Sequence, residues 1–166
     1  MIDFQQMTAA AKSQGLFRTF DATVLNGIVN SDDSIAVAIG HDPSQPIDFS
    51  DTLGAIESII AMDNGFDGGA IFEWSSPNIW QSHTLFSQSC RGRHAIDFSY
   101  SMIREMFTHW GAEELWGATP VSNRAAHIFN RKIGAHYVGQ GQHHSSGHVL
   151  HFRVFRDEWL EKHPLR

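Results

Sequence analysis

The run Gln88-Ser89-Cys90-Arg91-Gly92-Arg93-His94-Ala95 joins an apolar strand pattern directly to the start of a long helical one. A tight turn at such a junction leaves several backbone N–H groups without intrahelical acceptors and aims them outward at the positive end of the helix dipole. Arg91 and Arg93 add full positive charges beside them. The combination suits a pyrophosphate or a similar anion, although an ordinary strand-to-helix loop with solvated arginines has the same local sequence. Cys90 is the sole cysteine, which leaves no internal disulfide or CxxC metal knuckle and fits a reducing compartment. Its neighbour Arg91 and the helix start would lower a thiol pKa, yet no His and acid stand at a nucleophile's spacing, so it reads as a loop thiol.

Further along comes Asn123-Arg124-Ala125-Ala126-His127-Ile128-Phe129-Asn130-Arg131-Lys132-Ile133-Gly134. An R-G-x-x-A turn opening one helix, followed after the next strand by an N-x-x-A helix that ends on Gly134, resembles motifs A and B of the GNAT superfamily of N-acetyltransferases. The resemblance is closer to GNAT-like proteins of tailed bacteriophages, where a V-H-T-like strand precedes an R-G-R turn, as Ser82-His83-Thr84 does here. Motif matching extends from Gln81 to Gly139.

The resemblance implies a GNAT fold of the α/β (α+β) class: a twisted, mixed but mostly antiparallel sheet flanked by helices, whose central strands splay to admit the pantetheine arm of coenzyme A. Backbone groups around Phe86 and Gln88 would bond the pantetheine amides. Arg91, Gly92, Arg93, His94 and Ala95 would cradle the pyrophosphate, and Asn123 and Ala126 would line the thioester end. The implied co-substrate is acetyl-CoA, with no metal, and the acceptor is an amine on a small molecule, a protein N-terminus or a lysine. The sequence departs from the family pattern at Ser89, where Gln or Arg is usual, and at His94, where a second Gly is usual. It departs again at Asn130, in the slot where many members carry a Tyr that acts as acid to the departing thiolate. An amide has no titratable proton, so a non-catalytic phage protein of the same fold, acting in virion head assembly or as a binding module, is the rival reading. Phage structural proteins and a second copy of the chain are the further partners that go with it.

For the chemistry, His83 lies on the strand that feeds the turn, and imidazole is the side chain suited to taking a proton from an amine near neutral pH. Glu73 on the neighbouring strand is the other candidate base; for each, the bland alternative is a strand residue bonded to a neighbour or to water. Of the eleven histidines, five fall between His136 and His151. His148 and His151 would point to opposite faces of a strand, and adjacent His143 and His144 do not readily serve one ion. A polar hairpin is expected there rather than a metal site.

The elements that must position these residues follow from periodicity. A helix is expected over Met1 to Lys12 with Gly15 beyond it, a buried strand over Ile35 to Gly40, and a helix over Asp51 to Ile60, closed by Asn64-Gly65. Gly69 to Trp74 and Ile79 to Phe86, separated by Ser75-Ser76-Pro77-Asn78, predict an antiparallel hairpin. A helix from Ala95 to Trp110 with Gly111 as its stop, a strand from Glu114 to Thr119 ended by Pro120, and a helix capped by Ser122-Asn123 follow. The last helix would have Ala126, Phe129 and Ile133 as its inner face and place Arg131 and Lys132 in its final turn. Strands are expected at His136 to Gly139 and His148 to Phe155, and the tryptophans are expected in or beside the core.

A chain of 166 residues with 42% hydrophobic and 18% charged residues can bury a core, and no linker longer than His41 to Pro46 divides it, so a single domain over residues 1–166 is expected. Twelve basic against eighteen acidic residues give a formal charge of −6, which argues against nucleic acid or an anionic membrane as partner. With neither a signal-like N-terminus nor a run of about 18 apolar residues, the expectation is a cytoplasmic protein.

Overall fold

A computed structural model of the chain describes residues 17–39, 41–55, 57–143 and 146–164; the helix expected over Met1 to Lys12 lies outside them. The strands are β1 (Phe17–Thr19), β2 (Ile59–Asp63), β3 (Gly68–Ser76), β4 (Ile79–Phe86), β5 (Glu114–Pro120), β6 (His136–His143) and β7 (Gly147–Phe155). The helices are α1 (Thr23–Val29), α2 (Asp33–Ala38), α3 (Ser50–Leu53), α4 (Arg93–Thr108), α5 (Arg124–Lys132) and α6 (Arg156–Lys162). The seven strands form one sheet in the order β1-β2-β3-β4-β5-β7-β6. Every neighbouring pair is antiparallel except β4 and β5, which run parallel and therefore need the crossover that α4 supplies.

Both faces of the N-terminal half of the sheet are covered, so all five residues of β2 are buried. One core packs Met102, Met106 and Phe107 of α4 against Phe72, Trp80 and Leu115 of the strands and Trp159 of α6. Trp159 can be fully buried because its indole N–H donates to the Ile133 carbonyl at 2.9 Å. The other core packs Leu25 and Ile28 of α1 under Ala61, Ile71 and Leu85. Such side chains contribute about 1.5–3 kcal/mol each when fully buried, and this burial holds the layers together.

The β3–β4 hairpin, α4, β5 and α5 lie where periodicity puts them, and β6 and β7 are longer than expected. Other expectations are overturned. The run from Ile35 is helix α2, not a strand: Asp32 caps it by accepting the Ser34 N–H at 2.8 Å, and Val37 stands exposed although apolar. A short run that is apolar throughout has no period to read, and the cap decides. The helix expected over Asp51 to Ile60 stops at Leu53 before Gly54, and Ile59 and Ile60 begin β2 opposite Glu73 and Phe72. Asn64-Gly65 turns β2 into β3 instead of closing a helix: the Asn64 side-chain oxygen accepts the N–H groups of Phe66, Asp67 and Gly68, and Gly65 takes φ 82°. Trp74 is exposed, not core, because its position near the hairpin tip lies beyond both helical layers.

Candidate functional site

Strands β4 and β5 pair at Ile79–Glu114, Trp80–Leu115 and Gln81–Trp116 and then diverge. At the fork the Ser82 hydroxyl donates to the Trp116 carbonyl at 3.2 Å, and a Cβ on Gly117 would lie 3.3 Å from the Ser82 carbonyl oxygen. Beyond the fork β4 still bonds β3 on one side and β5 still bonds β7 on the other, so their facing edges keep unspent backbone donors and acceptors. A cavity of about 730 Å³ opens between them, within the size range of small-molecule and cofactor sites. Phe86 and His83 of β4, Thr119 of β5, Arg91 and Gly92 of the turn, and α5 form its walls, while Val37 of α2 and Ile39 just after it close one side.

The turn has a built geometry. Gly92 adopts φ 66° and ψ −127°, a conformation that L side chains rarely reach, and a Cβ there would meet nothing within 4 Å, so the demand for glycine is torsional. Gly92 caps α4 without a side-chain acceptor, so the first-turn N–H groups face outward. Behind the turn, Asp67 accepts from the Ser89 hydroxyl at 2.7 Å, its carbonyl accepts the Ser87 N–H at 2.9 Å, and Ser87 and Ser89 hydroxyls bond each other at 2.8 Å. Hydrogen bonds from Asn64 and then Ser89 hold the Asp67 carboxyl below its ordinary range. The expected lowering of the Cys90 pKa is reversed: burial, then the charge and hydrogen bond of Asp67, push the thiol up to about 11.

Of the residues expected to meet the cofactor, Phe86, Arg91, Gly92, Ala95, Asn123, Ala126 and Asn130 line the cavity. Arg93 and His94 are exposed beside it, and Arg93 lies 3.5 Å from Asp97 one turn along α4. The Gln88 side chain turns away and donates to Asp32 at 2.6 Å, tying the turn to α2. That bond, then those from Ser34, bring the Asp32 carboxyl down to about 2. Asn123 caps α5 by accepting the Ala126 N–H at 3.1 Å, and the His127 ring lies 2.9 Å from the Pro120 carbonyl, fixing α5 to the end of β5. Asn130 donates to the Thr119 hydroxyl at 3.0 Å.

The two candidate bases come together. Ile71 pairs with His83 and Glu73 with Gln81, so Glu73 and His83 are diagonal neighbours on one sheet face, with His83 Nε2 2.9 Å from Glu73 Oε2. A carboxylate only accepts, so Nε2 carries the proton and Nδ1 keeps the lone pair. The sequence reading missed Asp67 and Asp32, which brace the turn from behind, and Thr119, which lines the cavity itself. Asp32 had a legible signal in its N-cap position before Ser34; the other two depend on strand register. Among the described residues no group of three or more His, Cys, Asp or Glu side chains is arranged to hold a metal, and His144 lies outside them. The His148 ring instead lies 3.1 Å from the Gln142 amide, and the His151 ring lies 6.1 Å from Trp116.

No protein-family model matches the chain, and no curated protein matches it. Solved structures do. The aminoglycoside acetyltransferase AAC(6')-Ib, in complex with ribostamycin and coenzyme A, is 15% identical over 90% of this chain and 97% of its own, with a TM-score of 0.72. Spermidine N-acetyltransferase from Vibrio cholerae, in complex with CoA and spermine, is 13% identical over 89% of this chain and 99% of its own, with a TM-score of 0.69. A GNAT-family acetyltransferase from Bacillus anthracis is 12% identical over 86% of this chain and 95% of its own, with a TM-score of 0.63. The forked mixed sheet, with its helices on both faces, is the GNAT acetyltransferase fold.

Proposed function

We propose that the chain is an acetyl-CoA-dependent N-acetyltransferase acting on an amine. The observation that carries this reading is the β4–β5 fork, whose unpaired edges flank a cavity that ends on the glycine turn opening α4. An extended chain of amides ending in a pyrophosphate fits these features: backbone around Phe86 and Gln88 for the amides, and the N–H groups of the turn with Arg91 for the anion. Acetyl-CoA would supply the acetyl group as a thioester. His83 takes the amine proton at Nδ1, and Glu73 fixes the tautomer through Nε2 and stabilises the imidazolium once it forms. Val37 and Ile39, apolar and exposed on the cavity's side, offer contact area for the carbon frame of a small amine, with a protein N-terminus or lysine as the larger alternative. No described helix is long and apolar enough to cross a membrane, and a cytoplasmic setting, where acetyl-CoA is available, accompanies this reading. Calorimetric titration with acetyl-CoA, followed by a thiol-release assay over a panel of amines, tests it; no response to acetyl-CoA or CoA at millimolar concentration overturns it.

A second reading rests on Asn130, whose amide has no proton to give and is already committed to Thr119. In it the chain is a tailed-phage protein that keeps the scaffold for head assembly or as a binding module, alone or as a homodimer. CoA binding without turnover on any amine favours this alternative.

A further inference from the structure

Thr119 sits near the end of β5, beyond the fork, and is 7% exposed while its side chain lines the cavity. Its hydroxyl accepts the Asn130 amide N–H at 3.0 Å. That bond uses a lone pair of Oγ1 and leaves the hydroxyl's own proton. Among the described residues no acceptor is recorded for it. A hydroxyl on a cavity wall whose proton meets no protein acceptor is available to whatever occupies the cavity, water or a bound group. The direction of the Asn130 bond matters as well, since an amide donating to Oγ1 polarises the O–H and leaves it as a donor.

Resting on the acetyltransferase reading, we propose that the Thr119 hydroxyl, positioned by Asn130, is the hydrogen-bond donor to the coenzyme A sulfur, and that it stabilises the thiolate as it departs. The amine nitrogen bonds the acetyl carbon while the carbon–sulfur bond breaks. The amine proton passes to His83 Nδ1, the bonding pair goes to sulfur, and Oγ1 keeps its proton throughout. The thiolate is then protonated from solvent, to which the imidazolium returns its proton. Thr119 thus acts as a donor, not as a titrating acid, and Asn130 is a positioning residue.

The test follows the thiol of bound CoA by thiolate ultraviolet absorbance as pH is raised, with CoA itself as the probe. In the wild type the bound thiol should ionise at a lower pH than free CoA. Thr119→Val should reduce its ionisation constant about 10- to 100-fold, as loss of a hydrogen bond to a charged group predicts, and Thr119→Ser should restore it. Turnover should fall in Thr119→Val by at least about 10-fold with KM for acetyl-CoA little changed. An unmoved thiol titration in Thr119→Val, with CoA still bound, overturns this assignment alone; failure of the wild type to bind CoA overturns the acetyltransferase reading. Should Thr119→Val not fold, the wild type decides by itself. Its affinity for CoA must rise with pH across the thiol's ionisation while that for the desulfo analogue does not, and an affinity flat with pH overturns the assignment.

Discussion

At the scale of single residues, the site depends on pairs that no local sequence window contains. His83 and Glu73 are ten positions apart and meet only because the β3–β4 register sets them diagonally on one face. Each was legible as a candidate base by type, but their union was not, because a shift of one residue would have put them on opposite faces. If His83 is the base, His83→Gln should lose about 10²- to 10⁴-fold in turnover at unchanged CoA affinity. Its pH–rate profile should also lose the acid-side fall that protonation of the imidazole causes. Steady-state kinetics beside calorimetry checks this, and retained turnover with an unaltered profile removes His83 from the mechanism. Glu73→Gln should cost less, since a neutral amide still orients the ring while no longer stabilising its charge. Cys90 shows the opposite lesson. Its sequence neighbour Arg91 suggests a lowered pKa on a loop thiol, whereas its spatial neighbour Asp67 and its burial leave it 2% exposed and titrating at about 11. Iodoacetamide at pH 7.5 should therefore leave the folded protein unlabelled over a time in which the denatured chain reacts fully, as mass spectrometry would read. Rapid labelling of the native protein would contradict the buried placement.

At the scale of elements, what was legible is what has a period longer than its own ambiguity. The sixteen residues of α4 repeat their apolar positions often enough to exclude a strand, and the β3–β4 hairpin is announced by Pro77-Asn78, with Asn78 at φ 61°. The first half of the chain failed because α2, α3 and β2 have six, four and five residues, too few for a period to register. There the decision falls to an N-cap at Asp32, to Gly54 and to tertiary pairing, of which only the first two are visible in sequence. The turn before α4 was legible as an anion cradle in composition, but its two arginines are not equivalent. Arg91 lines the cavity, whereas Arg93 is 92% exposed at its side chain and leans toward Asp97. Arg91→Ala should therefore weaken CoA binding by about 10-fold or more, as loss of a charge-assisted contact to phosphate does, and Arg93→Ala should change it by only a few-fold. Calorimetry on the single variants distinguishes them. Equal losses would place the pyrophosphate further out along α4 than the cavity wall indicates.

At the scale of the whole molecule, acid stability follows from how the carboxylates are used. Neighbouring donors hold the carboxyls of Asp21, Asp32, Asp42, Asp48, Asp67 and Glu158 below their ordinary values, while burial raises that of Asp63. A group whose pKa is lower in the folded state stabilises the fold above its unfolded pKa, about 3.9 for Asp, and that stabilisation is lost as pH falls through the folded value. Asp63 runs the other way and opposes the fold once ionised, which offsets part of the gain. Asp21 and Asp42 accept only from residues two positions on, so protonating them loosens only that turn. Asp48 and Glu158 also reach across the fold, to Asn26 and His136, while Asp32 and Asp67 accept from Gln88 and Ser89, 56 and 22 positions away, and so fasten the glycine turn to α2 and to the β2–β3 connection. The melting temperature should therefore fall progressively below about pH 4, with the cavity's wall loosened at the same time. Asp32→Asn isolates one fastening. At pH 7 the variant should melt below the wild type. Since the Asp32 carboxyl in the folded protein titrates at about 2, that gap should narrow from pH 4 downward and be largely closed by pH 2. Scanning calorimetry of both proteins at pH 7, 4, 3 and 2 reads the gap directly. A gap that keeps its full size at pH 2 would mean that the Asp32–Gln88 contact owes nothing to the carboxylate's charge.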